Sequence, residues 1–326
     1  MIESKYLNVK CDKRLEFIFA IHSAYLKKTN NEDFDWVECP DIPYMNELFI
    51  LLKDNLTSNL CKYIEEAFDE CDIPSKIAFV LDDNFDIQED KINDSISFSY
   101  GNIQEFSLLL KDLANKVNWN KYYEYVKEFY NDFIINEIKL PNIDVKDIIN
   151  FYGYKKKSYN YLPSVFVNGG FSVTDSEDNV YAIRGFQYDE EEKEWLNDFD
   201  YLIENLFHEI SHSYINPLID KYFERFDNIG NITNSNLNNS YQREKTIICE
   251  YLVRTNATIL ASKYTNNLNA TEWIKEHGFP YLQEIIDYTL NNRLEYKTYE
   301  EFLVNSLIPY INELKDKKQI NTNKNL

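Results

Sequence analysis

Through the first half of the chain the apolar residues recur at helical spacing. Between residues 12 and 160 they fall three or four apart, as in Leu48, Leu51, Leu52 and Leu56, followed by Leu60, Ile64 and Phe68. This is the stripe of amphipathic helices. Asp72-Ile73-Pro74 and Leu140-Pro141-Asn142 read as helix stops, because proline disfavours helical backbone in the residue before it. At Tyr161 the texture changes. SVFVNGGFSV (164–173) and VYAIRGF (180–186) are rich in β-branched and aromatic residues and flank the polar TDSEDN, which predicts a β-hairpin. The acidic run Asp189–Glu194 reads as a solvated loop or first helical turn. Helical spacing returns over 198–215, where Asn216-Pro217 ends it, and over 241–261. The Asn-rich stretch 227–240 between them has the composition and length of a flap-like loop.

The pattern therefore predicts an α+β fold, predominantly α-helical. It divides into a mainly helical region 1–160, a region 161–314 with a small hairpin and the later helices, and a polar tail 315–326. Composition agrees. Glycine and proline number 7 and 8 in 326 residues, too few for an all-β fold with many tight turns. Hydrophobic residues at 44% and aromatics at 16% supply enough apolar surface to offset the entropy of ordering, so the chain folds. Its net charge of −21 excludes a phosphate-tracking surface, which draws its affinity from clustered Lys and Arg.

No apolar run approaches the roughly 18 residues of a membrane span. The short stretch Phe17–Ile21 is bracketed by Glu16 and His22 and lacks a small-residue cleavage site, so no signal peptide is expected and a cytoplasmic location is. Five cysteines without a CxxC pair suggest neither a disulfide framework nor a zinc ribbon; reduced, mostly buried thiols are expected.

Candidate chemistry centres on residues 208–212, His-Glu-Ile-Ser-His. On a helix, positions i and i+4 differ by about 40° in azimuth and about 6 Å in rise, so His208 and His212 share one face and can hold one metal ion. Glu209 lies about 100° round from His208, placed to reach a water at the open metal position without ligating, as a general base requires. With four histidines in the chain, this motif arises by chance in roughly half a per cent of sequences of such composition.

A catalytic zinc usually takes three protein ligands. Ile215 and Leu218 stand where the HExxHxxGxxH type has Gly and His, so that type is excluded. His22 and His277 are isolated and read as ordinary core or surface histidines. Glu250, 38 residues beyond the motif inside the apolar IICEYLV, is the better third ligand, because a carboxylate among apolar neighbours is costly unless paired or metal-bound. Its alternative is an i, i+4 ion pair with Arg254. Glu244 and Glu204 are weaker candidates, Glu204 one turn before His208 as an outer-sphere residue.

HEISHSYINPL (208–218) with EYLVR (250–254) resembles a family of bacterial proteins grouped with the zincin metallopeptidases of glutamate-ligand (gluzincin) type. The resemblance extends from VKCDKRLEFIFAI near the N-terminus through GFPYLQEIIDY (278–288) to KTYEEF (297–302). It implies a zincin-like fold with the hairpin beside the active-site helix, and zinc on His208, His212 and Glu250 with Glu209 as base. Gluzincins often carry an aspartate four residues after the glutamate ligand to support a ligand histidine. This chain has Arg254 there, so the outer-sphere partner lies elsewhere.

The expected reaction is zinc-dependent hydrolysis of peptide bonds in a peptide or protein substrate, with no nucleic-acid or membrane partner. Arg254, or a tyrosine such as Tyr251, Tyr281 or Tyr288, is a candidate to stabilise the oxyanion. Asn168, Gly169 and Gly170 are candidate substrate-binding residues, since paired glycines on an edge strand let an extended peptide approach closely. The competing readings are a glycine bulge in an ordinary hairpin, a zinc hydrolase with a non-peptide substrate, and a catalytically silent interaction protein of the same shape. A deformylase would need a cysteine ligand in an upstream motif that the chain lacks.

Overall fold

The computed structural model describes residues 6–29, 43–67, 73–92, 98, 101–132, 142–167, 169–186, 188–189, 191–192, 194–195, 199–227, 244–265 and 278–314. Helix predominates and accompanies a small four-stranded sheet, the expected α+β class. The chain forms two compact units, one of 8–140 and 157–199 and the other of 1–7, 141–156 and 200–326. The pattern alone drew a border at 160/161. Packing groups the strands with the N-terminal helices.

The first unit is built on α1 (Lys13–Thr29), buried from Leu15 to Leu26. Against it pack α2 (Pro43–Asn55), α3 (Ser58–Ala67), α4 (Ile73–Val80) and α6 (Trp119–Phe129); α5 (Ile103–Lys116) joins the same layer. A helix buried over most of its surface belongs at the centre of a core. Phe17 of α1 lies 4.9 Å from Phe85 and 5.0 Å from Trp119, ring centre to ring centre. The stripe Leu48, Leu52, Leu56, Leu60 and Ile64 is buried as expected, while Phe68 lies outside the described residues. Pro74 is not a stop. It sits in the first turn of α4, where a missing N–H costs no hydrogen bond. Leu140 and Pro141 lie outside the described residues.

The sheet runs β1 (Asn8–Val9), β2 (Ser158–Ser164), β4 (Asn179–Gly185), β3 (Gly170–Thr174), with β1–β2 and β2–β4 parallel and β3–β4 antiparallel. The hairpin β3–β4 forms where expected, its turn held by Asp175, whose Oδ1 accepts from the backbone N–H of Glu177 and Asn179. The expected strand 164–173 is broken. Its first residue, Ser164, ends β2, and Gly169 at φ +107° redirects the chain before β3. The ends of the acidic run pair as β5 (Tyr188–Asp189) and β6 (Glu194–Trp195), with exposed turn residues Glu191 and Glu192 between them, so the solvated turn is found and the helical alternative is not.

The second unit contains α7 (Val145–Tyr152), α8 (Phe199–Tyr222), α9 (Glu244–Thr265), α10 (Leu282–Asn292) and α11 (Tyr299–Phe302), the last continuing through a π-helical turn Leu303–Leu307. α8 outruns its expected end at 215. Pro217 sits inside it, although a proline removes a hydrogen bond and disfavours the helix. Tyr214, Ile215, Leu218 and Ile219 on both sides of the proline are buried, and Lys221 and Tyr222 anchor the end of the helix on Glu300 at 2.8 and 2.6 Å. Tertiary contacts thus carry the helix past a local stop signal.

α7 clamps the two long helices. The Tyr152 ring stacks on Tyr214 of α8 at 3.8 Å, and its hydroxyl donates to Ser211 Oγ at 2.7 Å. On the other side Asp147 accepts from Lys263 and Tyr264 of α9 at 2.6 and 2.9 Å. Gly153 ends α7 at φ +81°, and a Cβ there would lie 2.4 Å from the carbonyl oxygen of Lys297, so only glycine fits. The Asn-rich stretch 228–240 lies outside the described residues. Among the described residues no helix is long and apolar enough to cross a membrane, and Cys11, Cys61 and Cys249 are free thiols.

Candidate metal centre

α8 carries the HExxH motif in its middle and is buried nearly all round, including Leu206, Phe207, Ile210, Ser211 and Ile215. His208 and His212 open on one side of it with rings 4.8 Å apart and close to perpendicular at 80°. Their Nε2 atoms converge to 3.1 Å. From α9, Glu250 closes the triangle, with Oε1 3.4 Å from His212 Nε2 and Oε2 3.7 Å from His208 Nε2.

These separations are close to those of a metal site, one atom from each residue lying within 4.8 Å of the others. Zinc bonds of about 2.0–2.2 Å to nitrogen and oxygen, in tetrahedral geometry, separate neighbouring ligand atoms by roughly 3.4 Å. Among the described residues, these three form the one group of histidines, cysteines and acids arranged to hold a metal ion. Glu250 is buried, with 9% of its side chain exposed. Its Oε2 has no hydrogen-bonding donor in proper geometry among the described residues, although Arg254 Nη2 stands 3.1 Å away. Three convergent lone-pair donors with a single nearby cation are a donor set short of positive charge.

The position of Glu250 is compatible with both readings. It faces both histidines and also pairs with Arg254 one turn on. Arg254 is held by this pair and by its guanidinium lying 5.3 Å above the Phe279 ring. Glu209, next to His208 on α8, is buried at 3% exposure. Glu204 does not join the cluster. It accepts from Thr258 Oγ1 at 3.0 Å, and burial pushes its pKa up. Glu244 is exposed at the start of α9. Tyr251 packs edge-on against Phe279, and the Tyr288 hydroxyl pairs with Ser306 Oγ at 2.8 Å. His22 is buried in the core of the first unit, and His277 lies outside the described residues.

The family model described as domain of unknown function (DUF4932) matches residues 3–308, nearly the whole chain. The chain belongs to this family. No curated protein and no solved structure matches it.

The candidate peptide-binding residues of this DUF4932 chain fall in the first unit. Gly169 accepts at its carbonyl from Gly185 N–H at 2.8 Å, and Gly170 opens β3, the last strand in the sheet order. Asn168 lies outside the described residues. The sequence reading missed Asn216 and Cys249: His212 Nδ1 lies 3.1 Å from Asn216 Oδ1, to which Cys249 Sγ also donates at 2.9 Å. A signal was present. Asn216 is four residues after His212 on the same helix face, but reading Asn216-Pro217 as a helix end concealed it. Tyr152 was also missed. It braces Ser211, inside the motif, from a helix more than fifty residues away, a contact no local pattern reports.

Proposed function

We propose that this protein is a zinc-dependent metallopeptidase of the glutamate-ligand zincin type. The observation that carries the reading is the convergence of His208 Nε2 and His212 Nε2, 3.1 Å apart, on the Glu250 carboxylate, whose Oε1 lies 3.4 Å from His212 and whose Oε2 lies 3.7 Å from His208. Two of the three come from an HExxH helix and the third from a separate helix.

In this reading His208, His212 and Glu250 hold the ion. Bound there, zinc supplies Lewis-acid polarisation of a carbonyl and acidification of water. The Glu209 carboxylate takes the proton of the attacking water and returns it to the departing amine. Its place directly after His208 in the HExxH turn of α8 supports that role. Arg254 acts as the counter-charge that engages one oxygen of Glu250 and leaves the other for the metal.

The test is a purification followed by a cleavage assay. Zinc near one per chain, lost in His212→Ala and kept in Glu209→Gln, is the expected result. A peptide library should be cut by the wild type and not by Glu209→Gln. A native protein that takes up no zinc refutes the metal centre. Equal cleavage by wild type and Glu209→Gln refutes the base, and zinc uptake without cleavage of any peptide refutes the peptidase assignment.

A further inference from the structure

The metal-facing nitrogen of a histidine can ligate only if the proton sits on the other ring nitrogen. For His212 the other nitrogen is Nδ1, and its neighbours decide the question. Asn216 Oδ1 lies 3.1 Å from it, and Cys249 Sγ lies 2.9 Å from the same oxygen and 3.9 Å from Nδ1. We infer that Asn216, oriented by Cys249, is a positioning residue that holds the His212 imidazole as its Nδ1–H tautomer and so keeps the Nε2 lone pair available to a metal. The inference rests on the proposed metal centre.

Three observations support the assignment. The first is the amide's orientation. The carbonyl end of Asn216 faces two groups that can each donate, His212 Nδ1–H and the Cys249 S–H. The reversed amide would present N–H groups to both. A thiol is a weak acceptor, and His212 would have to accept at Nδ1, placing its proton on Nε2. That proton would point at His208 Nε2, 3.1 Å away, and close the site.

The second is the state of the thiol. Cys249 is a free thiol whose Sγ donates to Asn216 Oδ1 at 2.9 Å and stands farther, at 3.9 Å, from His212 Nδ1, so its one proton is directed at the amide oxygen.

The third is the placement on the helices. Asn216 stands one turn beyond His212 on α8, and Cys249 directly precedes Glu250 on α9. The two helices that supply the ligands also supply their support, so orienting one orients both.

The test compares the full-length wild type with Asn216→Leu, which has the same number and branching of side-chain heavy atoms but no acceptor, and with Asn216→Asp, which retains it. Zinc affinity is measured by competition with a chromophoric chelator. The His212 tautomer is read in the metal-free protein from long-range proton–nitrogen correlation spectra, with Asn216→Leu required to retain the wild-type circular dichroism. We expect Asn216→Leu to bind zinc about tenfold more weakly, the low end of outer-sphere losses because Asn216 is exposed. Its His212 should lose the Nδ1–H signature, and Asn216→Asp should restore both properties.

Zinc binding by Asn216→Leu equal to wild type, with the tautomer unchanged, overturns the inference and leaves the metal centre standing. A wild type that binds no zinc overturns the metal centre instead. The spectra then still decide the support: Nδ1–H in the wild type and its loss in Asn216→Leu uphold it, whereas Nε2–H in the wild type refutes it.

Discussion

Replacing Glu16 by glutamine isolates one buried charge and converts it into a pH-dependent stability. Glu16 lies on α1 with no solvent exposure. Its Oε2 accepts the Val165 N–H at a long 3.4 Å, and its Oε1 has no partner among the described residues. Burial is the main cause, with the Asp12 charge adding to it, that pushes its pKa up from 4.5 to about 8, against a smaller lowering by Ser164 and Val165. A group whose folded pKa is raised holds its proton in the folded state and loses it in the unfolded one between these two values. Its stabilisation is complete below about pH 4.5 and is lost as the pH rises through 8.

At about 1.4 kcal/mol per pH unit, the cost is about 1 kcal/mol at pH 5, about 3 at pH 7 and close to 5 at pH 9. Glu16→Gln keeps the shape and an acceptor but cannot ionise. Its urea unfolding free energy should therefore exceed that of the wild type by an amount that grows by about 4 kcal/mol from pH 5 to pH 9. All other titrating groups are common to both proteins and cancel in the difference. A difference that stays constant across that range would refute the reasoning, since it would mean the carboxyl is already ionised in the fold.

Other predictions follow from the second unit. Zinc at a hundredfold its dissociation constant should stabilise the metal-free protein by about 2.7 kcal/mol, seen as a rise in thermal midpoint that a chelator reverses and that Glu250→Gln weakens; no rise in the wild type would exclude a folded-state zinc site. Arg254→Met should destabilise the metal-free protein by a few kcal/mol, because it strands the buried Glu250 carboxylate. Added zinc should recover more stability in this variant than in the wild type, and equal metal-free midpoints would refute the counter-charge role. Gly153→Ala should cost about 1–3 kcal/mol or more in a denaturant titration, since positive φ and the Lys297 carbonyl oppose its Cβ together; an unchanged unfolding midpoint would contradict that geometry.

What local pattern encodes, the sequence determined by itself. The helical stripe Leu48–Ile64, the hairpin around Asp175 and the two histidines one turn apart all depend on neighbours within a few residues, where backbone geometry alone dictates which side chains share a face. Glu250 was legible for a related reason. Ile247, Ile248, Leu252 and Val253 commit its helix to the interior, so its charge needed a partner.

Contacts between distant segments were settled only by the tertiary structure. Pro217 looks like a stop until the buried residues after it and the Glu300 anchor are seen to outweigh one lost hydrogen bond. Pro74 is a different case, a proline that the first turn of a helix accepts without loss. The propensity lost at Pro217 is worth about 3 kcal/mol, and packing overrides it. Asn216, Cys249 and Tyr152 take their roles from what stands opposite them, on segments 33 and 59 residues apart in sequence. A linear pattern can place a residue on a face, but packing decides what that face meets.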